Sequence, residues 1–266
     1  MSSNEGAASE TFREGHVEAD GLRVRYLEAG QGEPLVVLHG GGGLRHYTSH
    51  DMLSKTRRVI LIETPGFGSS PANQRSETMA DLANALAKAI ENLGVTNFDL
   101  CGTSFGGKLA LWLAVQHPDS VRALVLVGPA AIRPEGSPAR PPGEFRLYAH
   151  PERQQEQSAL APDIREKQRT LTRRLMGQAR DLELEERMAG LTTPVLVVFG
   201  TLDSVVPPEM GRHYKEILPN CNLVFLYDAA NEADADRPEA FVTLVNDFLE
   251  RHGAFVIKTE SDLINR

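Results

Sequence analysis

Short apolar runs alternate with amphipathic stretches along most of the 266 residues. Val36 to Leu38, Val59 to Ile62, Phe98 to Cys101, Ala123 to Val127, Val195 to Phe199 and Leu223 to Tyr227 are apolar runs, broken only by Asp99, bounded by turn residues. Such runs, without polar alternation, suit strands buried on both faces of a parallel sheet. Between them, Met79 to Leu93, Phe105 to Gln116, Pro208 to Leu218 and Pro238 to Leu249 carry apolar residues at helical spacing. Phe105 to Gln116 is almost wholly apolar, as a central buried helix would be. The alternation predicts an α/β fold with a mostly parallel sheet and helices on both faces. His16 to Ala19 and Leu22 to Leu27, joined at Asp20-Gly21, predict an antiparallel hairpin at its start.

One segment breaks the alternation. From Ile132 to Gly190 no strand pattern occurs. It opens with a proline-rich stretch, Pro134 to Pro142, and then becomes helical and charged. Arg165, Arg169, Arg173 and Arg174 stand among Leu171, Leu175 and Met176. The pattern predicts a helical cap over 132–190, inserted into a core made of 12–131 and 191–253. Residues 1–11 are expected to be a flexible N-terminus and 254–266 a C-terminal tail. Phe145, Leu147, Tyr148 and the cap arginines are expected to set substrate choice; His150 could face the pocket, but is not expected to serve as a base.

Composition narrows the partners. With 41% hydrophobic and 24% charged residues, the chain can bury a large core without covalent staples. Asp and Glu outnumber Lys and Arg, 36 to 28, giving a formal charge of -8. That balance argues against nucleic-acid partners and anionic membranes. No stretch approaches the roughly 18 apolar residues of a membrane span. The first residues have neither the basic nor the apolar region of a secretory signal. Cys101 and Cys221 cannot form a disulfide framework. The expectation is a cytoplasmic protein acting on a small-molecule substrate without cofactor or metal. A homodimer contact would fall on the cap or on the Phe255-Val256-Ile257 tail.

Three motifs carry chemistry. Gly102-Thr103-Ser104-Phe105-Gly106 follows an apolar run and opens a helix. That is G-x-S-x-G in the context of a nucleophile elbow, whose strained turn lifts the serine hydroxyl and needs small residues on either side. His39-Gly40-Gly41-Gly42-Gly43 follows another run. Its Gly41 or Gly42 amide, with that of Phe105, would form an oxyanion hole. His39 itself reads as a structural hydrogen-bonder beneath that loop. Asp203, in Gly200-Thr201-Leu202-Asp203, lies 99 residues past Ser104, in the loop after an apolar run. It fits the orienting acid of a Ser…Asp…His order.

Together HGGGG, ETPGFGSSP, GTSFGG, LVLVGPA, VFGTLDSVVPP and RPEAF resemble the α/β-hydrolase fold superfamily. Within it the chain resembles the capped serine hydrolases that include meta-cleavage-product C–C hydrolases, esterases and lactonases. The resemblance covers roughly Val17 to His252. It implies Ser104 as nucleophile, Asp203 as acid and a histidine seven residues before a Pro-Glu-x-Phe helix start. That start is Pro238-Glu239-Ala240-Phe241, and the residue seven before it is Asn231. An amide has no titratable nitrogen with which to take the Ser104 proton. None of the eight histidines falls at that position. His46 and His50 are spaced for the pocket mouth, without a third residue to make a metal site. Glu232 and Asp234 stand near, where a carboxylate would be repelled by Asp203. The expectation is a serine hydrolase acting on a small ester, lactone or activated C–C bond, impaired at its base. The alternatives are a ligand-binding protein, or lyase- or isomerase-type chemistry in the same pocket.

Overall fold

The computed structural model describes residues 11–134, 146–153, 160–252 and, for the backbone alone, 264–265. The hairpin forms from β1 (Arg13–Ala19) and β2 (Leu22–Ala29). Its turn residues, Asp20 and Gly21, both take positive φ, as a two-residue type I′ turn requires. The predicted runs become β3 (Pro34–Leu38), β4 (Arg58–Ile62), β5 (Phe98–Thr103), β6 (Val121–Val127), β7 (Val195–Gly200) and β8 (Cys221–Leu226). Strands lie in the order β1-β2-β4-β3-β5-β6-β7-β8, and a two-residue strand, β9 (Ile264–Asn265), follows. From β4 to β8 all neighbours are parallel. The hairpin and β9 join antiparallel at the two edges.

Both faces of the sheet are buried. In β3, Val36 and Leu38 face one apolar cluster while Leu35 and Val37 face the other. The first cluster is closed by α2 (Met79–Asn92) and α3 (Phe105–Gln116), the second by α8 (Pro238–Arg251). Thr78 caps α2 by accepting from the Asp81 amide, and Asp81 reaches back to Thr78. Two short helices were not expected: α1 (Thr48–Leu53), after the glycine loop, and α7 (Ala233–Asp236), before α8. The segment predicted as one helix after Asp203 divides into a 3-10 turn at Pro208–Met210 and α6 (Gly211–Ile217).

The insertion between β6 and β7 carries α4 (Pro162–Met176) and α5 (Leu182–Met188). Residues 135–145 and 154–159, with Phe145 and most of the proline-rich stretch, lie outside the described residues, as does the Phe255 segment. Two cations of α4 reach loops of the body. Lys167 Nζ donates to the carbonyls of Gly68 and Ser70, and Arg174 to those of Asn73 and Ser76. Arg165 turns back to Leu160 O, while Arg169 and Arg173 are exposed. Lys167 and Arg174 thus pin the helix to loop carbonyls of the body, while Leu171 and Leu175 bury beneath it.

Lys108 of α3 adds a buried anchor, overlooked in an otherwise apolar helix. Its ammonium sits 2.7 Å from Asp181 and donates to Met176 O at 2.9 Å. Breaking such a pair strands a charge, though Asp181 keeps some contact with water. Lys108→Met is expected to cost about 2 kcal/mol, lowering the melting temperature by roughly 6 °C in thermal denaturation.

Candidate active site

The candidate groups converge at the carboxyl ends of β3, β5, β6, β7 and β8, where ligands bind in open parallel sheets. Ser104 occupies the turn between β5 and α3, with φ 52 and ψ -111. A non-glycine residue there is strained, as an elbow nucleophile is. Its N–H donates to Val127 O, and its own carbonyl accepts from Ala130 N. These bonds tie the turn to the end of β6. Two glycines make the elbow fit: a Cβ at Gly102 would fall on the Gly106 carbonyl, and one at Gly106 on the carbonyls of Leu38 and His39. Ser104 itself remains half-buried.

Asp203, in the loop after β7, is only 5% exposed. One carboxylate oxygen accepts from the amides of Val205 and Val206 at 2.8 and 2.9 Å. The other accepts from Asn231 Nδ2 at 2.8 Å. Asn231 Nδ2 also reaches the Gly128 carbonyl at 3.4 Å. A Cβ at Gly128 would overlap Asn231 Nδ2, which explains glycine there. Asn231 is fully buried, and its Oδ1 has no hydrogen-bond partner among the described residues. Turning the amide over would aim oxygen at the Asp203 carboxylate, so the orientation is set. Asn231 therefore donates to Asp203 as an imidazole Nδ1–H would.

Burial pushes the Asp203 carboxyl up to about 6, although three N–H donors hold it down. The sign follows from linkage. Between about pH 4 and 6 the folded chain keeps a proton that the unfolded chain releases. This contribution to stability is present at low pH and lost as pH rises through 6. Asp203→Asn removes the ionisation. Its stability relative to the native chain should therefore improve as pH rises from 4 to 7, in melts at several pH values. A difference independent of pH would contradict this.

The glycine loop lies against the elbow. His39 is buried, with Nδ1 on Gly40 O at 2.7 Å and Nε2 accepting from Thr64 N at 3.0 Å. Burial pulls it down to about 4, so it stays neutral and structural. Gly41 is exposed at the tip and Gly42 half-buried, while Gly43 N closes a turn on Gly40 O. The Phe105 amide stands at the start of α3.

Several histidines have partners other than Ser104. His150 pairs with Asp228 at 2.8 Å. His46 pairs with Asp51, His117 with Asn84 and His213 with Glu216. His50 turns inward and packs beside Asp234 at 3.7 Å.

Next to the site lies a buried polar group that sequence reasoning did not assemble. Glu232 is 7% exposed. Tyr47 donates to its Oε2 at 3.4 Å, Tyr47 and Tyr148 share a hydrogen bond at 2.9 Å, and Arg45 donates to Tyr148 at 3.1 Å. Asp234 accepts from Ser49. A cavity of about 20 Å³, with Gly40, Thr103, Tyr47, His50, Glu232 and Asp234 in its walls, lies between them. Glu232 and Asp234 are both held above the usual carboxylate range, chiefly by burial; Asp234 adds to the shift at Glu232.

A family model described as the alpha/beta hydrolase fold matches residues 33–161. The pimeloyl-[acyl-carrier protein] methyl ester esterase of Neisseria meningitidis serogroup C is 33% identical over 241 residues. The match covers 80% of this chain and 92% of that one. The 2-hydroxy-6-oxononadienedioate/2-hydroxy-6-oxononatrienedioate hydrolase of Burkholderia vietnamiensis is 28% identical, covering 91% and 97%. Among solved structures, the 2-hydroxy-6-oxo-6-phenylhexa-2,4-dienoate hydrolase of Rhodococcus sp. strain RHA1 superposes with a TM-score of 0.74. It is 21% identical, over 91% of this chain and 99% of that one. The sheet order, the strained serine between β5 and α3 and these relatives agree: the chain belongs to the α/β-hydrolase fold family.

Proposed function

We propose that the chain is a serine-type acyl hydrolase in which an amide occupies the place of the catalytic base. Ser104 attacks a carbonyl, and the amides of Phe105 and Gly41 or Gly42 hold the oxyanion. Asp203 orients residue 231. The observation that carries this reading is the 2.8 Å hydrogen bond from Asn231 Nδ2 to Asp203. It is the bond that a triad histidine makes, formed by a side chain that cannot take a proton.

The substrate would be a small ester, a lactone or an activated C–C bond next to a carbonyl. Similarity to a methyl ester esterase and to C–C hydrolases supports that range. The insertion would cover the pocket as a cap. Tyr148 would be its contribution beside Ser104, since it bonds both Tyr47 and Arg45. The test is Asn231→His, assayed with short p-nitrophenyl esters beside Ser104→Ala. Gain of activity in the first and loss in the second support the reading. A folded Asn231→His chain that stays at background overturns it.

A further inference from the structure

We propose that Glu232 takes the proton of Ser104 in this site; the inference rests on the acyl-transfer reading above. A Cβ at Gly40 would lie 3.0 Å from Glu232 Oε1 and 3.6 Å from Ser104 Cβ. The carboxylate and the nucleophile therefore border the same small space over Gly40. The adjoining cavity, walled by Gly40, Thr103 and Glu232, has room for about one water.

Glu232 is also held for the task. Its N–H donates to Leu147 O at 2.9 Å, which ties the backbone to the returning insertion. Tyr47 fixes Oε2 and leaves Oε1 toward Gly40. Among the described residues, no Lys or Arg forms an ion pair with it. A buried carboxylate with no directly paired cation is costly to keep ionised for structure alone. Its charged and titratable surroundings are Arg45 and Tyr47 before α1, Tyr148 on the insertion, Asp234 on α7 and Asp203 after β7. His50 on α1 faces Asp234. Burial, Asp234 and Asp203 raise the proton affinity of Glu232, while Arg45 and Tyr47 lower it. The balance leaves a stronger base than an ordinary carboxylate.

The step balances. Glu232 takes the hydroxyl proton as Ser104 Oγ bonds to the carbonyl carbon. It returns that proton to the leaving oxygen as the C–O bond breaks, giving acyl-Ser104 and an alcohol. Water then repeats the exchange: Glu232 takes its proton, the new C–O bond forms, and the proton passes to Ser104 as the acyl bond breaks.

The test uses full-length native chain, Glu232→Gln, Asn231→His, the double variant and Ser104→Ala. Acylation by excess p-nitrophenyl acetate is followed by intact mass across pH. In the native chain Glu232→Gln should slow acylation about 100-fold or more and abolish its rise with pH. In the Asn231→His background the same change should matter less than about threefold, because an imidazole then takes the proton. If Glu232→Gln keeps the native rate and pH profile while Ser104→Ala abolishes acylation, Glu232 is not the acceptor. The same holds if the native chain fails to acylate at any pH while Asn231→His does. Acylation that survives Ser104→Ala overturns the nucleophile reading itself. Should Glu232→Gln fail to fold, Tyr47→Phe keeps the carboxylate and removes its donor. The rise with pH should then move to higher pH, and an unmoved profile overturns the proposal.

Discussion

Asn231→His should raise ester hydrolysis by about 100-fold or more over the native chain. Without a complete triad, an elbow and an oxyanion hole supply only about 10³–10⁴-fold over water, and an intact triad adds orders of magnitude. Everything such a histidine needs is already built. Asp203 is fixed by the Val205 and Val206 amides and presents its second oxygen to residue 231. Imidazole Nδ1 would replace Asn231 Nδ2 on that oxygen. The buried Oδ1 without a partner would give way to a ring carbon. An unmet buried acceptor costs about 1–3 kcal/mol, so the substitution should not lower the melting temperature. Steady-state rates with short p-nitrophenyl esters and a thermal melt check both halves. Activity should also gain a limb near the ordinary histidine value of about 6.5.

Gly106→Ala should strain the fold and break the site with a single methyl group. The added carbon would overlap the Leu38 and His39 carbonyls, which end β3 and begin the glycine loop. Neither carbonyl can retreat without moving the central sheet. Overpacking of a tight core costs about 1–3 kcal/mol where side chains can adjust, and more where backbone is struck. The expected loss is about 3 kcal/mol or more. Because the displaced strand carries the oxyanion loop, chemistry should fail before the fold does. In the Asn231→His background, Gly106→Ala should therefore lose hydrolysis at temperatures where circular dichroism still reports native helix. Retained activity with an unchanged melt would contradict the packing.

The body of the fold was legible because its strands are buried on both faces. Such strands appear as unbroken apolar runs, and the helices between them keep helical spacing. Ser104, Asp203 and Asn231 were legible from short motifs whose spacing the sheet enforces. What stayed hidden depends on contacts between distant segments. Tyr47 meets Glu232 across 185 residues. Tyr148 joins them from the insertion, and neither pairing leaves a periodic mark. Lys108 stands in an apolar helix, and only the fold brings Asp181 beside it. The anchoring of Arg174 was not legible, because the loop carbonyls that hold it have no side-chain signature. Glu232 was set aside on the ground that Asp203 would repel it. The repulsion is present, and its effect is to raise the proton affinity of Glu232.

The Asp203–Asn231 hydrogen bond also bears on ancestry. Asparagine and histidine codons differ only at their first base. A chain that keeps the acid, its two amide donors and a matching donor at position 231 stands one nucleotide from a complete triad. Gain and loss of the imidazole can therefore occur by drift, with no compensating change elsewhere in the loop.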